Sequence, residues 1–290
     1  DSPSCPARSS KGGTRRAPSR THEYLLYQTI VAALPNGRLT PDFAERIAPY
    51  AVKAAREGKL ETSWMNPNAA YEDALQQFVR QILDPVRSAA FLESVSTFTR
   101  RLAVLGALNG VSELTLKAMM PGVPDFYQGT EFWDLSLVDP DNRRQPDFAA
   151  RIAALRETRA NPAWETLATA WDDGHLKLAW TRALLTLRGT LPRVFAHGGY
   201  QPLEVRGRDR DHLIAFARTD DAHAVVVAVG RHFSELTDGG RRWLLAEDWD
   251  AELVLDGFEN IEWQALGSES TFRSATAMTA GSLLGAFPAA

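Results

Sequence analysis

Cysteine is almost absent from this sequence, since Cys5 is the only one among 290 residues. A single thiol cannot form an internal disulfide, so a disulfide-stapled scaffold is excluded and the cytoplasm is the expected compartment. Long apolar runs are lacking too. No window approaches the roughly 18 consecutive apolar residues of a membrane span, and residues 1–20 have no apolar segment typical of a secretory signal. We therefore expect no membrane partner.

An excess of charge of either sign is also missing. The chain has 32 basic and 36 acidic residues and a formal net charge of −4. It has no basic stripe, so a nucleic-acid partner is not expected. It has no CxxC pair and no GxGxxG-type loop, so redox and phosphate-transfer functions lack a supporting motif. His197, His212 and His223 do not have metal-ligand spacing, and we predict no metal site.

What is present is an ordinary globular composition, with 44% hydrophobic and 23% charged residues. Apolar residues at spacings of three and four predict helices over residues 24–34, 40–58, 71–82 and 91–105. Thr40 is the expected N-cap of the second helix, and Asn109-Gly110 is the expected end of the fourth. Helical patterns return at residues 148–159 and 175–187.

The last hundred residues are predicted to be rich in strands. Residues 213–217 and 224–229 have strand composition, and Asp220-Asp221 between them suits a hairpin. Further strand signals lie at 243–245 and 253–255. We thus predict three regions: a disordered or non-homologous tail at 1–21, a mainly helical region at 22–165, and a helix followed by a β-rich domain at 166–290. Because the chain starts at Asp1 and not at Met, we expect a fragment or a processed chain.

One segment, residues 121–147, carries most of the functional information. Its sequence PGVPDFYQGTEFWDLSLVDPDNRRQPD predicts a short strand that ends in a polar loop. Carboxylates and amides can hydrogen-bond sugar hydroxyls, and the aromatic faces of Tyr127, Phe132 and Trp133 suit pyranose rings. A loop pinned by its own Asp–Arg pairs is the alternative explanation of the same pattern.

This segment resembles a known enzyme family. The pattern formed by Gly122, Pro124, Tyr127, Gly129 and Glu131 is similar to the eighth barrel strand of the α-amylase superfamily. The longer string GVPDFYQGTEFWDLSLVDPDNRR resembles the maltooligosyl trehalose synthase family more specifically. The strings EYLLYQT, TSWMNPN, YEDALQQFV, DGHLKL and HLIAFAR also look like that family, in the expected order. The resemblance covers most of residues 22–230.

The resemblance implies an α/β fold: the C-terminal part of a (β/α)₈ TIM barrel, with its last strand and flanking helices, followed by a smaller antiparallel β domain. It implies an intramolecular transglycosylation that converts the reducing-end α-1,4 bond of a malto-oligosaccharide to an α,α-1,1 bond. Retaining enzymes of this type use two carboxyl groups roughly 5–5.5 Å apart. The chemistry requires no metal or organic cofactor.

Residue roles follow only where this sequence matches the family. The matching residues that would border the sugar-binding cleft are Tyr127, Gln128, Glu131, Asp139, Asp141, Asn142 and Arg143. The family's nucleophile, acid and stabilising carboxylates would follow strands four, five and seven, ahead of EYLLYQT. Residues 1–20 do not match the seventh-strand segment, so no catalytic residue is assigned, and this chain alone is expected to be inactive. Its expected partners are a malto-oligosaccharide and the missing N-terminal part of the same enzyme.

Two other functions remain open. The chain could be a non-catalytic glucan-binding or interaction module derived from such an enzyme. It could also come from another transferase or hydrolase of the α-amylase superfamily, which would share the short pattern but not the string WDLSLVDPDNRR.

Overall fold

A computed structural model describes residues 5–8, 14–158, 162–285 and 287–290. By compactness the chain divides into two units. The N-unit consists of Asp1–Ala103 and Leu135–Gln145, and the C-unit consists of Val104–Asp134 and Pro146–Ala290. These limits do not coincide with the predicted boundaries after residues 21 and 165, and those boundaries stay a prediction.

The N-unit begins with two short strands, β1 (Cys5–Arg8) and β2 (Thr14–Ala17), which pair antiparallel with Cys5 opposite Ala17. The pair lies in the region that we expected to be a disordered or non-homologous tail. Residues 1–4 and 9–13 of that tail lie outside the described residues.

Helices predicted by apolar periodicity follow in the N-unit, and the first three are confirmed. They are α1 (Arg20–Ala33), α2 (Phe43–Gly58) and α3 (Ala69–Ile82). Their apolar faces form one core that includes Ile30, Phe43 and Phe78, each fully buried. The N-cap of α2 was predicted wrongly. Asp42 occupies that position, and Thr40 instead accepts a hydrogen bond from the Phe43 amide through its backbone carbonyl (3.1 Å).

The fourth helix, α4 (Ala89–Met119), runs on from the N-unit into the C-unit. The predicted stop at Asn109-Gly110 is wrong, because the helix continues for nine residues beyond Gly110. A glycine inside a helix costs only about 1 kcal/mol relative to alanine. Burial of Leu114 and Met119 in the C-unit core, worth about 1.5–3 kcal/mol each, outweighs that cost.

The C-unit adds five α-helices and eight strands in its described residues. The helices are α5 (Phe148–Glu157), α6 (Trp164–Thr169), α7 (His175–Thr190), α8 (Pro192–His197) and α9 (Ala280–Leu284). The strands are β3 (Gly199–Pro202), β4 (Val205–Gly207), β5 (Leu213–Thr219), β6 (Ala224–Gly230), β7 (Ala251–Val254), β8 (Glu262–Gln264), β9 (Thr271–Arg273) and β10 (Ala277–Thr279).

The predicted hairpin is confirmed as β5 and β6, which pair along their whole length. Asp220 closes it, because its carboxylate accepts hydrogen bonds from the backbone amides of Ala222 and His223 (2.8 Å each). The sheets have the orders β3-β5-β6, β10-β7-β4 and β8-β9. The strand signal at 253–255 corresponds to β7, but the signal at 243–245 was misread. Those residues form no strand; Trp243 stacks on Trp171 and Leu244 is buried.

The predicted mixture of helix and sheet is therefore confirmed, whereas the partial barrel is not. A (β/α)₈ barrel is built from parallel strands, and every strand pair in the described residues is antiparallel. Residues 121–129, expected to form the last barrel strand, are not a strand. Strand assignment requires a hydrogen-bonded neighbour, and the described part of the chain places none beside them.

Arg218 of β5 organises the junction at which α4 ends. Its side chain is buried and donates hydrogen bonds to the carbonyls of Met119 (3.1 Å), Val194 (3.0 Å) and Gly199 (2.9 Å). It thus satisfies the Met119 carbonyl at the C-terminal end of α4. It also adds a second donor to the Val194 carbonyl of α8, which already accepts a hydrogen bond from the Gly198 amide (3.1 Å). This junction fixes the point from which the loop at 120–134 leaves the helix.

Candidate functional site

The loop that follows α4 in the C-unit is closed by Glu131. Its carboxylate accepts hydrogen bonds from the Gly129 amide and from Nε of Arg151 (3.0 Å each). Arg151 in turn donates through Nη2 to the Gly129 carbonyl (2.6 Å). Gly129 has φ +91° and its missing Cβ would lie 3.2 Å from Pro146, so only glycine fits without strain. Glu131 is therefore engaged in holding a turn.

Tyr127 and Gln128 are the residues of this turn that face solvent. Tyr127 is 65% exposed, and Gln128 is exposed as well. The Tyr127 carbonyl accepts a hydrogen bond from the Thr130 hydroxyl (2.6 Å), which anchors the backbone below the two side chains. A planar aromatic ring and an amide are thus presented on a fixed backbone.

Phe132 and Trp133, in contrast, pack inside the C-unit. Trp133 donates through Nε1 to the Trp171 carbonyl (2.6 Å). The Phe132 ring lies 5.6 Å from the ring of His175. Because these rings have partners within the unit, the open aromatic surface expected from the sequence is supplied here by Tyr127.

Lys177 of α7 contacts this loop, which the sequence did not reveal. Its Nζ donates to the Phe132 carbonyl (3.1 Å) and lies 5.4 Å from the Trp133 ring centre. Burial lowers the pKa of this ammonium, and the nearby charge of Lys117 lowers it further. Lys177 thus ties α7 to the loop. In the sequence, the string DGHLKL that contains Lys177 indicates only the family resemblance.

Asp141 is the buried centre of the N-unit segment at 135–145. Its side chain is 3% exposed and forms a two-point ion pair with Arg46 of α2, Nε and Nη2 each 3.0 Å from a carboxylate oxygen. The Leu137 amide donates to the same carboxylate (2.8 Å), and Arg144 Nε lies 3.1 Å away. Burial opposes ionisation, but these donors prevail and hold the pKa of Asp141 below its ordinary value.

The other predicted residues of this segment are less buried than Asp141: Asn142 and Arg143 are exposed, and Asp139 is half-buried. Arg143 and Asp139 form an ion pair four residues apart, with side chains 74% and 40% exposed. Asn142 is exposed beside them. The structure thus splits the predicted set by unit: Tyr127, Gln128 and Glu131 lie in the C-unit, and Asp139, Asp141, Asn142 and Arg143 lie in the N-unit.

A further polar and aromatic cluster in the N-unit was missed as a candidate site. Trp64, in the TSWMNPN string, is 54% exposed. The guanidinium of Arg56 lies 4.8 Å from its ring centre. The guanidinium itself is held by two hydrogen bonds to Glu72, at 2.8 and 2.6 Å. The signal in the sequence was an isolated Trp in a loop, but the cation that supports the ring, Arg56, lies on helix α2.

An apolar cavity of the C-unit does not include the predicted residues. It has a volume of about 950 Å³ and a mostly apolar lining that includes Trp164, Trp180 and Phe287. In the described residues no group of three or more His, Cys, Asp or Glu side chains is arranged to hold a metal ion. No helix in that part of the chain has the length and apolarity needed to cross a bilayer.

Comparison with known proteins identifies the relatives of this chain. A Mycobacterium tuberculosis protein, provisionally named a maltooligosyl trehalose synthase, is 34% identical over 226 residues, which is 77% of this chain and 26% of the relative. The structure of maltooligosyltrehalose synthase from Arthrobacter ramosus aligns with a TM-score of 0.70 and 29% identity, over 92% of this chain and 31% of that one. A further maltooligosyl trehalose synthase crystal structure gives a TM-score of 0.66 at 27% identity, over 90% and 32%. No family model matches the chain.

Fold and sequence together define this chain as a homologue of one segment of a much longer enzyme. It spans about a quarter of the length of the curated relatives that it matches. The enzymes are maltooligosyl trehalose synthases, and the predicted resemblance to that family is confirmed.

Proposed function

We propose that this chain is the C-terminal portion of a maltooligosyl trehalose synthase. The observation that carries the proposal is 34% identity over 77% of the chain, together with a TM-score of 0.70 over 92% of it. In the proposed reaction the α-1,4 bond that joins the reducing-end glucose to the rest of a malto-oligosaccharide breaks. The detached glucose stays in the site, and its O1 attacks the anomeric carbon from which its O4 was displaced. The product ends in an α,α-1,1-linked trehalose unit, with no net gain or loss of atoms and no cofactor.

Glucan contacts are proposed for each of the two segments separately. In the C-unit we assign this role to Tyr127 and Gln128, which are exposed on a turn that Glu131 and Arg151 hold in place. Glu131 would act as a positioning residue. It lies on the turn itself, and loss of its carboxylate would release the backbone below Tyr127.

In the N-unit segment the corresponding residues are the exposed Asn142 and Arg143 and the half-buried Asp139. We assign Asp141 a positioning role, because Arg46 and the Leu137 amide occupy its carboxylate oxygens. Carboxylate, amide and guanidinium groups on this segment offer both acceptors and donors to sugar hydroxyls.

The remaining part of the same enzyme is the proposed protein partner. On α5, Phe148, Ile152 and Leu155 are 43–49% exposed and recur at positions i, i+4 and i+7, which places them on one helix face. A soluble enzyme normally buries such a stripe. The relatives are three to four times longer than the aligned segment, so they contain further polypeptide that can cover it.

The isolated 290-residue chain is proposed to be inactive, because no string in it resembles the three carboxylate-bearing segments that the family resemblance implies. A cytoplasmic location remains a prediction from cysteine content. The test is incubation of the purified chain with maltohexaose and measurement of reducing ends and of trehalose-terminated product. We expect neither a loss of reducing ends nor product. Conversion at the rate of an intact synthase would refute this part of the proposal.

A complementary experiment tests the partner. The chain is co-expressed with the polypeptide encoded upstream of it, and synthase activity is measured after co-purification. Restored activity supports the proposal, and glucan binding without activity in the assembled protein favours the non-catalytic binding module instead. Ile152→Ser should weaken co-purification. Leu185→Ser is the matched control, because Leu185 on α7 is an aliphatic residue of comparable exposure (41%, against 49% for Ile152).

A further inference from the structure

We propose that Trp64, supported on the guanidinium of Arg56, is an additional binding position for one glucose ring of an α-1,4-glucan. The inference rests on the proposed function for its choice of ligand. It concerns a loop of the N-unit, residues 61–68, to which the resemblance assigned no role.

The first argument is the way in which the ring is held. Arg56 donates from Nε and Nη2 to the two carboxylate oxygens of Glu72 (2.8 and 2.6 Å), and Glu72 is buried. The guanidinium is therefore fixed and lies 4.8 Å from the centre of the Trp64 ring. Cation–π attraction between the guanidinium and the ring helps to keep the indole in place. The exposed remainder of the indole, 54% of the residue, is free to meet a ligand.

The second argument is the order of the loop that presents the ring. Ser63 and Asn66 form a closed turn, since the Ser63 amide donates to the Asn66 carbonyl (3.2 Å) and the Asn66 amide donates to the Ser63 hydroxyl (3.0 Å). Thr62 is buried; its hydroxyl donates to Glu72 (2.6 Å) and accepts from the Asn68 amide (2.9 Å). Because the loop is already ordered, binding there would cost little conformational entropy.

The third argument is the chemistry of the exposed surface. The apolar C–H face of a glucopyranose ring matches an indole face in size and polarity, and the ring hydroxyls need donors and acceptors at its edge. Asn66 is exposed two residues from Trp64 and has an amide of that kind. A neutral glucan also avoids the cost of bringing a charged ligand to the Arg56–Glu72 pair. A docking protein is the competing occupant, and the test below includes it.

The experiment uses the full 290-residue chain labelled with ¹⁵N and titrated with maltohexaose. Each of the eight tryptophans gives one indole N–H signal, and the signal missing in Trp64→Phe identifies Trp64. We expect that signal to shift in a saturable way. Trp64→Ala should weaken the affinity about tenfold, equivalent to about 1.4 kcal/mol at 25 °C, with an unchanged melting temperature. Glu72→Gln, which loosens Arg56, should weaken it about threefold.

Tyr24→Ala is the matched control, because Tyr24 is a similarly exposed aromatic (66%) of the same unit; it should bind as the parent chain does. If the Trp64 signal stays fixed while Tyr127→Ala still weakens binding, the Trp64 position is refuted and the proposed function stands. If Trp64 responds as expected but the assembled enzyme forms no trehalose, the Trp64 position stands and the proposed function fails. A Trp64 signal that ignores glucan and moves only when the upstream polypeptide binds marks a protein contact and overturns the inference.

Discussion

The ion pair between Arg46 and Asp141 offers the sharpest test of how the N-unit holds its segment at 135–145. Both side chains are largely buried, 10% and 3% exposed, and they meet at two 3.0 Å contacts. Arg46→Met keeps the volume of the side chain but leaves the carboxylate with one cation, Arg144, and the Leu137 amide. Removal of one partner from a buried pair costs about 3–5 kcal/mol. The remaining donors place the expected loss near the lower end, about 3 kcal/mol.

A double-mutant cycle separates the pair from its surroundings. Asp141→Asn alone leaves Arg46 buried without its carboxylate and should cost a similar amount, about 3 kcal/mol. The double variant leaves neither charge buried alone, so we expect a coupling energy of about 2 kcal/mol. The measurement is urea unfolding followed by circular dichroism at neutral pH, with the free energy taken from the transition that involves α2. Additive losses, within about 0.5 kcal/mol, would refute the reasoning.

The same pair predicts a pH dependence with a defined sign. The folded-state pKa of Asp141 lies below its unfolded value, because the donors from Arg46 and Leu137 overcome the opposing effect of burial. The stabilisation is therefore fully present above the ordinary Asp pKa of about 3.9 and disappears as pH falls through the folded value. The free-energy difference between the parent chain and Arg46→Met should shrink below about pH 4. A difference that stays constant down to pH 2 would contradict the assignment.

Three further predictions concern other parts of the chain. Gly106→Ala should raise the free energy of unfolding by about 0.5–1 kcal/mol, because a Cβ at this position in the middle of α4 meets nothing within 4 Å. Gly207→Ala should lower it, because Gly207 has φ +103° and a backbone oxygen would lie 2.6 Å from the new Cβ. Urea unfolding of both variants checks the contrast. Arg218→Met should lower the melting temperature more than any surface Arg→Met variant, because it removes a buried donor from the Met119 carbonyl and one of the two donors of the Val194 carbonyl. Calorimetry measures this. Burial lowers the pKa of His22 below 6.5, so the unfolded state binds the proton more readily, and stability should fall as pH drops below about 6.5. A His22→Phe variant, followed by thermal melts at several pH values, should lack this pH dependence. An unchanged pH dependence would contradict the assignment.

The local sequence pattern was sufficient to predict those helices and strands whose residues interact mainly with near neighbours along the chain. The periodic apolar residues of α1, α2 and α3 predicted those helices because one face of each is buried in a single core. The hairpin of β5 and β6 was predictable because Asp220 closes it with contacts two and three residues away. The family resemblance also needed nothing beyond the linear strings.

The candidate site depended much more on tertiary structure. In the sequence, Glu131 and Asp141 are the kind of residue that binds sugar hydroxyls. In the structure, their carboxylates instead hold turns through Arg151 and Arg46. Arg46 and Asp141 are 95 positions apart. No local rule relates residues at that separation, so the sequence could not show which polar groups were already engaged.

The sequence by itself determined the helical faces and the hairpin, because these depend on residues that are close along the chain. It also determined the similarity to maltooligosyl trehalose synthases, because that similarity lies in sequence strings that can be compared directly. Only the tertiary structure decided that α4 continues past Asn109-Gly110, that Tyr127 and not Trp133 faces solvent, and that Arg56 supports Trp64. The physical reason is common to these cases. Burial and charge pairing act between segments that are distant in sequence, and their free energies exceed the local preferences that sequence patterns record.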